Sequence, residues 1–377
     1  MSKLVPMVDP EGLLEYSVVF NDRALNHMSA VFQQVMRDIS ATLKQVYNAS
    51  GAVVVPGGGS FGMEAVARQF AHDQHCLIIR NGWFSYRWSQ ILEMGRIASD
   101  TTVLKASPDC DRSPVAWQPP ALDEVVATIL REKPAVVFAP HVETASGMIL
   151  PEDYLKAVGE AVAQAGGLFV LDCVASGALW VDMKACGVDA LISAPQKGWS
   201  ASPCAALIAL SEKALARMES TTSSSFAADL KKWHQIMQAY ENGGHAYHAT
   251  MPTDTLAVLR DRMKETVDTG LDVLRERQWQ LGRNVRALFS RYGFRSVAAD
   301  GFAAPCVVVM HTDNPDIHNT SLFRRQGLQT AAGVPLMCGE PDTFQTFRVG
   351  LFGLDKLNHV PRTTEKLAEA LEKIRGR

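Results

Sequence analysis

Between about residues 50 and 210 the chain alternates short apolar runs with longer stretches whose apolar positions recur every three or four residues. Ala52–Val55, Cys76–Arg80, Ala135–Ala139, Leu168–Asp172, Ala190–Ser193 and Cys204–Leu210 read as strands. Phe61–Ala71, Trp83–Gly95, Leu122–Glu132 and Glu152–Ala165 read as the helices between them. Strands that are apolar along their whole length are buried on both faces, so the pattern predicts a mostly parallel sheet flanked by helices. From Met263 to about Tyr292 it is that of one long, charged, amphipathic helix. Strand-like Ala303–His311 and a last helix, Glu365–Arg375, follow. The chain therefore reads as α/β, with an arm over 1–20, a large domain over 21–260 and a smaller α/β domain over 261–377.

Composition changes this picture little. Hydrophobic residues make up 47% and charged residues 20% of 377, ordinary for a globular protein, and a net charge of −3 describes no basic surface for nucleic acid. No apolar run reaches the ~18 residues of a membrane span, and the opening MSKLVPMVDPEG has no apolar core like that of a signal peptide. Seven cysteines at scattered positions form no C-x-x-C pair, which fits reduced thiols and a cytoplasmic location. His27, His141, His245 and His248 show no metal-ligand spacing, so no metal is expected.

Three places carry candidate chemistry. Strand-like Val53–Val55 runs into Pro56-Gly57-Gly58-Gly59-Ser60-Phe61-Gly62 and then a helical pattern. A strand, a glycine turn and a helix start aim backbone N–H groups at one spot, where an anion can sit and Ser60 can add a hydroxyl. By itself the segment is equally a plain tight turn. Leu168–Asp172 is a buried-type strand ending in an acid, and Ala190–Ser193 leads into Ala194-Pro195-Gln196-Lys197-Gly198-Trp199. Ligands of open α/β sheets bind beyond the carboxyl ends of the strands, which puts both side chains on one crevice. Singly, Asp172 is also readable as a turn acid and Lys197 as a loop lysine. With a phosphate turn upstream, the set fits a pyridine cofactor: the acid keeps the ring nitrogen protonated, and the lysine supplies the amine and the base.

At these residues the chain resembles the class V aminotransferases of fold type I, a pyridoxal 5'-phosphate family that includes alanine–glyoxylate, serine–pyruvate and 2-aminoethylphosphonate–pyruvate aminotransferases. The likeness runs from about His27 to Gly353. It implies that Gly58, Gly59 and Ser60 hold the phosphate, that Phe84 in Asn81-Gly82-Trp83-Phe84 stacks on the ring (with Trp83 the neighbour that takes over if the register slips), and that Thr144 contacts the cofactor. It implies further that Asp172 meets the ring nitrogen, that Lys197 forms the Schiff base and that Gln196 helps hold the phosphate. Tyr247 and Thr250, in Tyr247-His248-Ala249-Thr250-Met251-Pro252, then reach the phosphate of a second subunit, which makes the protein a homodimer with shared active sites. Arg348 clamps the substrate carboxylate with its planar fork.

Two departures stand out. Met28 replaces the arginine of the family's His-Arg-Ser segment, and the usual Pro-Gly-Pro opening is absent. Transamination between a small amino acid and an oxo acid such as glyoxylate or pyruvate is the expected reaction. A desulfurase-like lyase using Cys338 is the rival within the same cofactor class. A nucleotide-binding oxidoreductase using the glycine turn, with Asp73 as its ribose acid, explains neither Asp172 with Lys197 nor Arg348.

Overall fold

The computed structural model describes residues 13–110 and 114–375, so residues 1–12 of the expected arm lie outside it. Helix α1 (Ala30–Tyr47) opens on Ser29, whose hydroxyl accepts from the Phe32 N–H, and it buries Phe32, Val35, Met36, Ile39, Leu43 and Tyr47 along one face. Seven strands follow: β1 (Gly51–Pro56), β2 (His75–Arg80), β3 (Asp100–Lys105), β4 (Val136–Pro140), β5 (Leu168–Asp172), β6 (Ala190–Ser193) and β7 (Ala205–Leu210). They form one sheet in the order β1-β7-β6-β5-β4-β2-β3. Only β7 runs against its neighbours; the pairs β6–β5, β5–β4, β4–β2 and β2–β3 are parallel. Helices α2 (Gly59–Phe70), α3 (Trp83–Gly95), α4 (Leu122–Glu132) and α5 (Glu152–Ala165) lie between the strands as the apolar periodicity predicts.

The central strands β4, β5, β6 and β7 are buried at every residue, whereas the edge strand β3 buries none of its residues fully. That difference explains why the apolar-run reading finds the centre and passes over DTTVLK at the edge. The expected single helix over Met263–Tyr292 is two helices, α6 (Thr253–Thr269) and α7 (Leu271–Arg291). Gly270 separates them at φ 96°, a left-handed conformation that ends a helix and that glycine adopts without a steric penalty. The Ala303–His311 strand is shorter than expected. Strand β8 (Val307–His311) begins after Pro305, and Ala303 makes only an isolated bridge to Met148. With β9 (Ala331–Ala332) and β10 (Thr346–Gly350) it makes an antiparallel sheet in the order β8-β10-β9. The last helix, α8, spans Val360–Arg375 and begins earlier than its apolar pattern suggests.

Two cores hold these layers. Leu256, Leu259 and Met263 of α6 join the core of the large sheet, while Leu274, Leu281, Val285 and Phe289 of α7 join the core of the small one. A third cluster, including Ala145, Met148, Val307 and Leu336, packs between them.

Helix α3 is anchored by Trp88, fully buried and stacked on Phe138 of β4 with ring centroids 4.2 Å apart. Trp88→Ala removes that anchor and is expected to cost about 3–5 kcal/mol of stability, read as a clear fall in thermal midpoint. An unchanged midpoint would show that α3 is held in some other way.

Candidate active site

Parallel strands bring their carboxyl ends to one edge, and β4, β5 and β6 end there at Pro140, Asp172 and Ser193. A cavity of about 430 Å³ opens beside them, and its walls include Gly59, Ser60, Phe84, Thr144, Asp172, Gln196, Lys197 and Arg348. Of the ten residues given site roles from the sequence other than Arg348, Gly58 flanks the cavity as the residue before α2, and Tyr247 and Thr250 lie away from it. Tyr247 is half exposed, and its hydroxyl is 3.0 Å from that of Thr250. Phe84 lines the cavity, whereas Trp83 packs on Tyr86 with ring centroids 5.8 Å apart. Trp199 is absent from the cavity wall. It is buried beneath the lysine loop, 4.6 Å from Trp180 between ring centroids, with its indole N–H donated to Ser193.

Each wall has a local cause. Gly58 is extended and no side chain caps α2, so the first N–H groups of that helix are left to face the cavity. Asp172 folds back to accept the Val174 N–H at 2.9 Å, and its own carbonyl accepts from His141. The Arg348 Nε donates to the Ala332 carbonyl at 2.8 Å, which leaves both Nη groups for a ligand. Lys197 Nζ stands 5.0 Å from the Phe352 ring centroid.

Sequence reading gave no role to Glu143, yet it organises one side of the site. Its fully buried carboxylate accepts from the N–H groups of Phe84, Ser85 and Ala145 and from the Ser85 hydroxyl, at 2.7–3.2 Å. One acid thus caps α3, which carries Phe84, and ties it to the turn that carries Thr144. Gly82 is required at that approach, because a Cβ there would stand 2.8 Å from the Glu143 carboxyl carbon. The available signal was the acid immediately before Thr144 in Val142-Glu143-Thr144.

Among the described residues lining the cavity, the ionisable groups are Asp172 against Lys197, Arg87 and Arg348. Burial, reinforced by the nearby Glu143, pushes the Asp172 carboxyl up to about 7 despite the Val174 N–H and Arg87. Burial first, then Arg348 and Arg87, hold the Lys197 amine below its usual range. Cys338 lies outside the cavity wall, and burial together with Glu340 and Glu143 pushes its thiol up to about 12. The histidines are engaged elsewhere: His141 pairs with Ser176 at 2.7 Å, His248 with the Phe226 carbonyl, and His27 stacks edge-on against His245.

Known proteins share this architecture. A 2-aminoethylphosphonate–pyruvate transaminase of Burkholderia ambifaria is 29% identical, over 92% of this chain and 89% of its own. A protein named soluble hydrogenase, small subunit, from a Synechococcus strain is 24% identical over 92% and 86%. The crystal structure of an alanine–glyoxylate aminotransferase from Nostoc superposes with a TM-score of 0.78 at 22% identity, covering 93% of this chain and 89% of that one. The model of the class-V aminotransferases matches residues 13–333, and the chain belongs to that family, whose cofactor is pyridoxal 5'-phosphate.

Proposed function

We propose that this aminotransferase moves an amino group from a small amino acid to a small oxo acid such as pyruvate or glyoxylate, with Lys197, Asp172 and Arg348 as its working residues. The observation that carries the proposal is that these three side chains line one cavity at the carboxyl ends of the sheet. The acceptors are those in the names of the Burkholderia and Nostoc proteins.

The residues fit the family's cofactor. Asp172 is buried with no cation paired to it among the described residues, and the Gln196 amide oxygen is buried without a hydrogen-bond partner among them. An amide end can rotate to present its N–H₂ to a phosphate. Bound here, pyridoxal phosphate supplies an aldehyde and an electron-withdrawing ring. Asp172 then holds the proton of the ring nitrogen, and Phe84 forms a wall against the ring. Gly58, Gly59, Ser60, Thr144 and Gln196 offer hydrogen bonds to its polar groups. Lys197, whose amine burial and the two arginines hold below its usual range, is the anchoring amine and the base that moves the substrate α-proton. The free Nη groups of Arg348 take the substrate carboxylate as a fork.

The active unit we infer is a cytoplasmic homodimer. Tyr247 and Thr250 have exposed hydroxyls and no place in their own subunit's cavity, and Phe61 is exposed on the turn next to Ser60. A second subunit lets the first pair complete the neighbouring phosphate site and covers the aromatic ring. All seven cysteines are free, in keeping with a reducing compartment.

Candidate donors offered with pyruvate or glyoxylate should yield one new amino acid per oxo acid formed. Release of sulfide or ammonia without that stoichiometry would make the protein a lyase. Arg348→Ala should lower kcat/KM by roughly 10²–10³-fold. Cys338→Ala should leave turnover within about twofold, because a thiol held near 12 is not a nucleophile at neutral pH.

Asp172 also sets a pH dependence. Its carboxyl titrates at about 7 when folded without cofactor, against 3.8 for an unburied aspartate. Below pH 4 both states are protonated and the group leaves stability unchanged. Between about 4 and 7 the unfolded chain ionises first, so stability falls as pH rises, by roughly 4 kcal/mol at most. Cofactor-free Asp172→Asn should therefore gain thermal midpoint over the parent between pH 4 and pH 8 while binding pyridoxal phosphate more weakly. An equal offset at both pH values would contradict the assignment.

A further inference from the structure

Arg87 stands in the same cavity and has been given no task. It lies three residues after Phe84 on α3, so the two side chains share one helix face, and its guanidinium carbon is 4.7 Å from the Phe84 ring centroid. Its Nη1 donates to the Ser60 hydroxyl at 2.9 Å. No carboxylate pairs with it among the described residues. An unpaired guanidinium thus lines the same cavity as the uncapped start of α2 and the orphaned Gln196 amide, and it is hydrogen-bonded to the Ser60 hydroxyl.

Charge decides what fits there. The helix start, the hydroxyl and the amide are neutral donors, and a phosphate monoester brings close to two negative charges at neutral pH. Of the three cations on the cavity wall, Lys197 and Arg348 are committed to the reacting end, which leaves Arg87 for the phosphate end. A guanidinium that keeps one N–H on Ser60 still has four to give, and its planar fork matches two phosphate oxygens.

Building on the reading that pyridoxal phosphate binds in this cavity, we propose that Arg87 is the counter-cation of the cofactor's phosphate, reaching it beside Ser60 while its planar face braces Phe84 against the ring. One side chain then fixes both ends of the cofactor: the phosphate through charge-assisted hydrogen bonds and the ring through the phenyl wall. Arg87 is a binding and positioning residue and takes no part in proton transfer.

The test compares pyridoxal phosphate with pyridoxal, which lacks the phosphate, on the cofactor-free dimer, using the absorbance change on binding. The parent protein should prefer the phosphorylated form strongly. In Arg87→Met that preference should shrink by roughly 10- to 100-fold while affinity for pyridoxal stays within about threefold. Arg87→Lys should recover part of it, since a point charge replaces a fork. Retained pyridoxal binding also reports that the variant is folded. Two results overturn the proposal: an unchanged preference in Arg87→Met, or an equal loss of both ligands, which would assign Arg87 to supporting Phe84 alone. A rise in KM for dicarboxylic donors with the cofactor preference intact overturns it too, by placing Arg87 on the substrate. If the parent protein binds neither compound, the functional reading itself fails, and that outcome is distinct from all of these.

Discussion

A carboxylate buried at the end of a strand is unfavourable until a cation or enough hydrogen bonds meet it, and this fold contains one of each kind. Glu143 is the satisfied case: four donors surround it, and the start of α3 and the adjoining turn are pinned by it. Asp172 is the unsatisfied case, with one backbone N–H and a carboxyl held near 7. Around it stand the Lys197 amine, held below its usual range by burial and then by Arg348 and Arg87, and the Arg348 guanidinium, lowered by burial. The cavity therefore holds a mismatch of charge of the kind that the proposed ligands, with a cationic ring nitrogen, a phosphate and a carboxylate, would resolve.

The scaffold makes that arrangement rigid. Fully buried strands β4, β5 and β6 fix Asp172 and the lysine loop from below, and Trp199, wedged against Trp180 and hydrogen-bonded to Ser193, supports Lys197 from the core side. Arg348 comes from β10 of the small sheet, so the cavity is closed by both cores. The residues that line the cavity thus rest on elements whose own packing is complete.

Much of this was legible in the chain, for physical reasons. Buried strands announce themselves as unbroken apolar runs, and Leu168–Asp172 and Ala190–Ser193 match the observed strands residue for residue. Helix α3 was equally plain, its apolar spacing running from Trp83 to Gly95. Strand β3 was missed because an edge strand keeps its polar residues, and the break at Gly270 was missed because apolar spacing resumes in phase on either side of it. In the site, Asp172, Lys197, Phe84, Thr144 and Arg348 sit in motifs with a mechanism attached. The Ser60–Arg87 hydrogen bond and the Glu143 cap join segments far apart in sequence, and no local pattern encodes such contacts. Tyr247 and Thr250 line no part of the cavity in their own chain, so their proposed role rests on a second subunit.

The central claim is that the amine of Lys197, and no other, meets the cofactor opposite Asp172. Reducing the cofactor-loaded protein with borohydride, then digesting it and mapping the peptides by mass, tests this directly. The account predicts a single pyridoxyl group on the peptide containing Lys197, and its loss in Lys197→Ala. A pyridoxyl group on a different lysine, or none on the reduced protein, would contradict it.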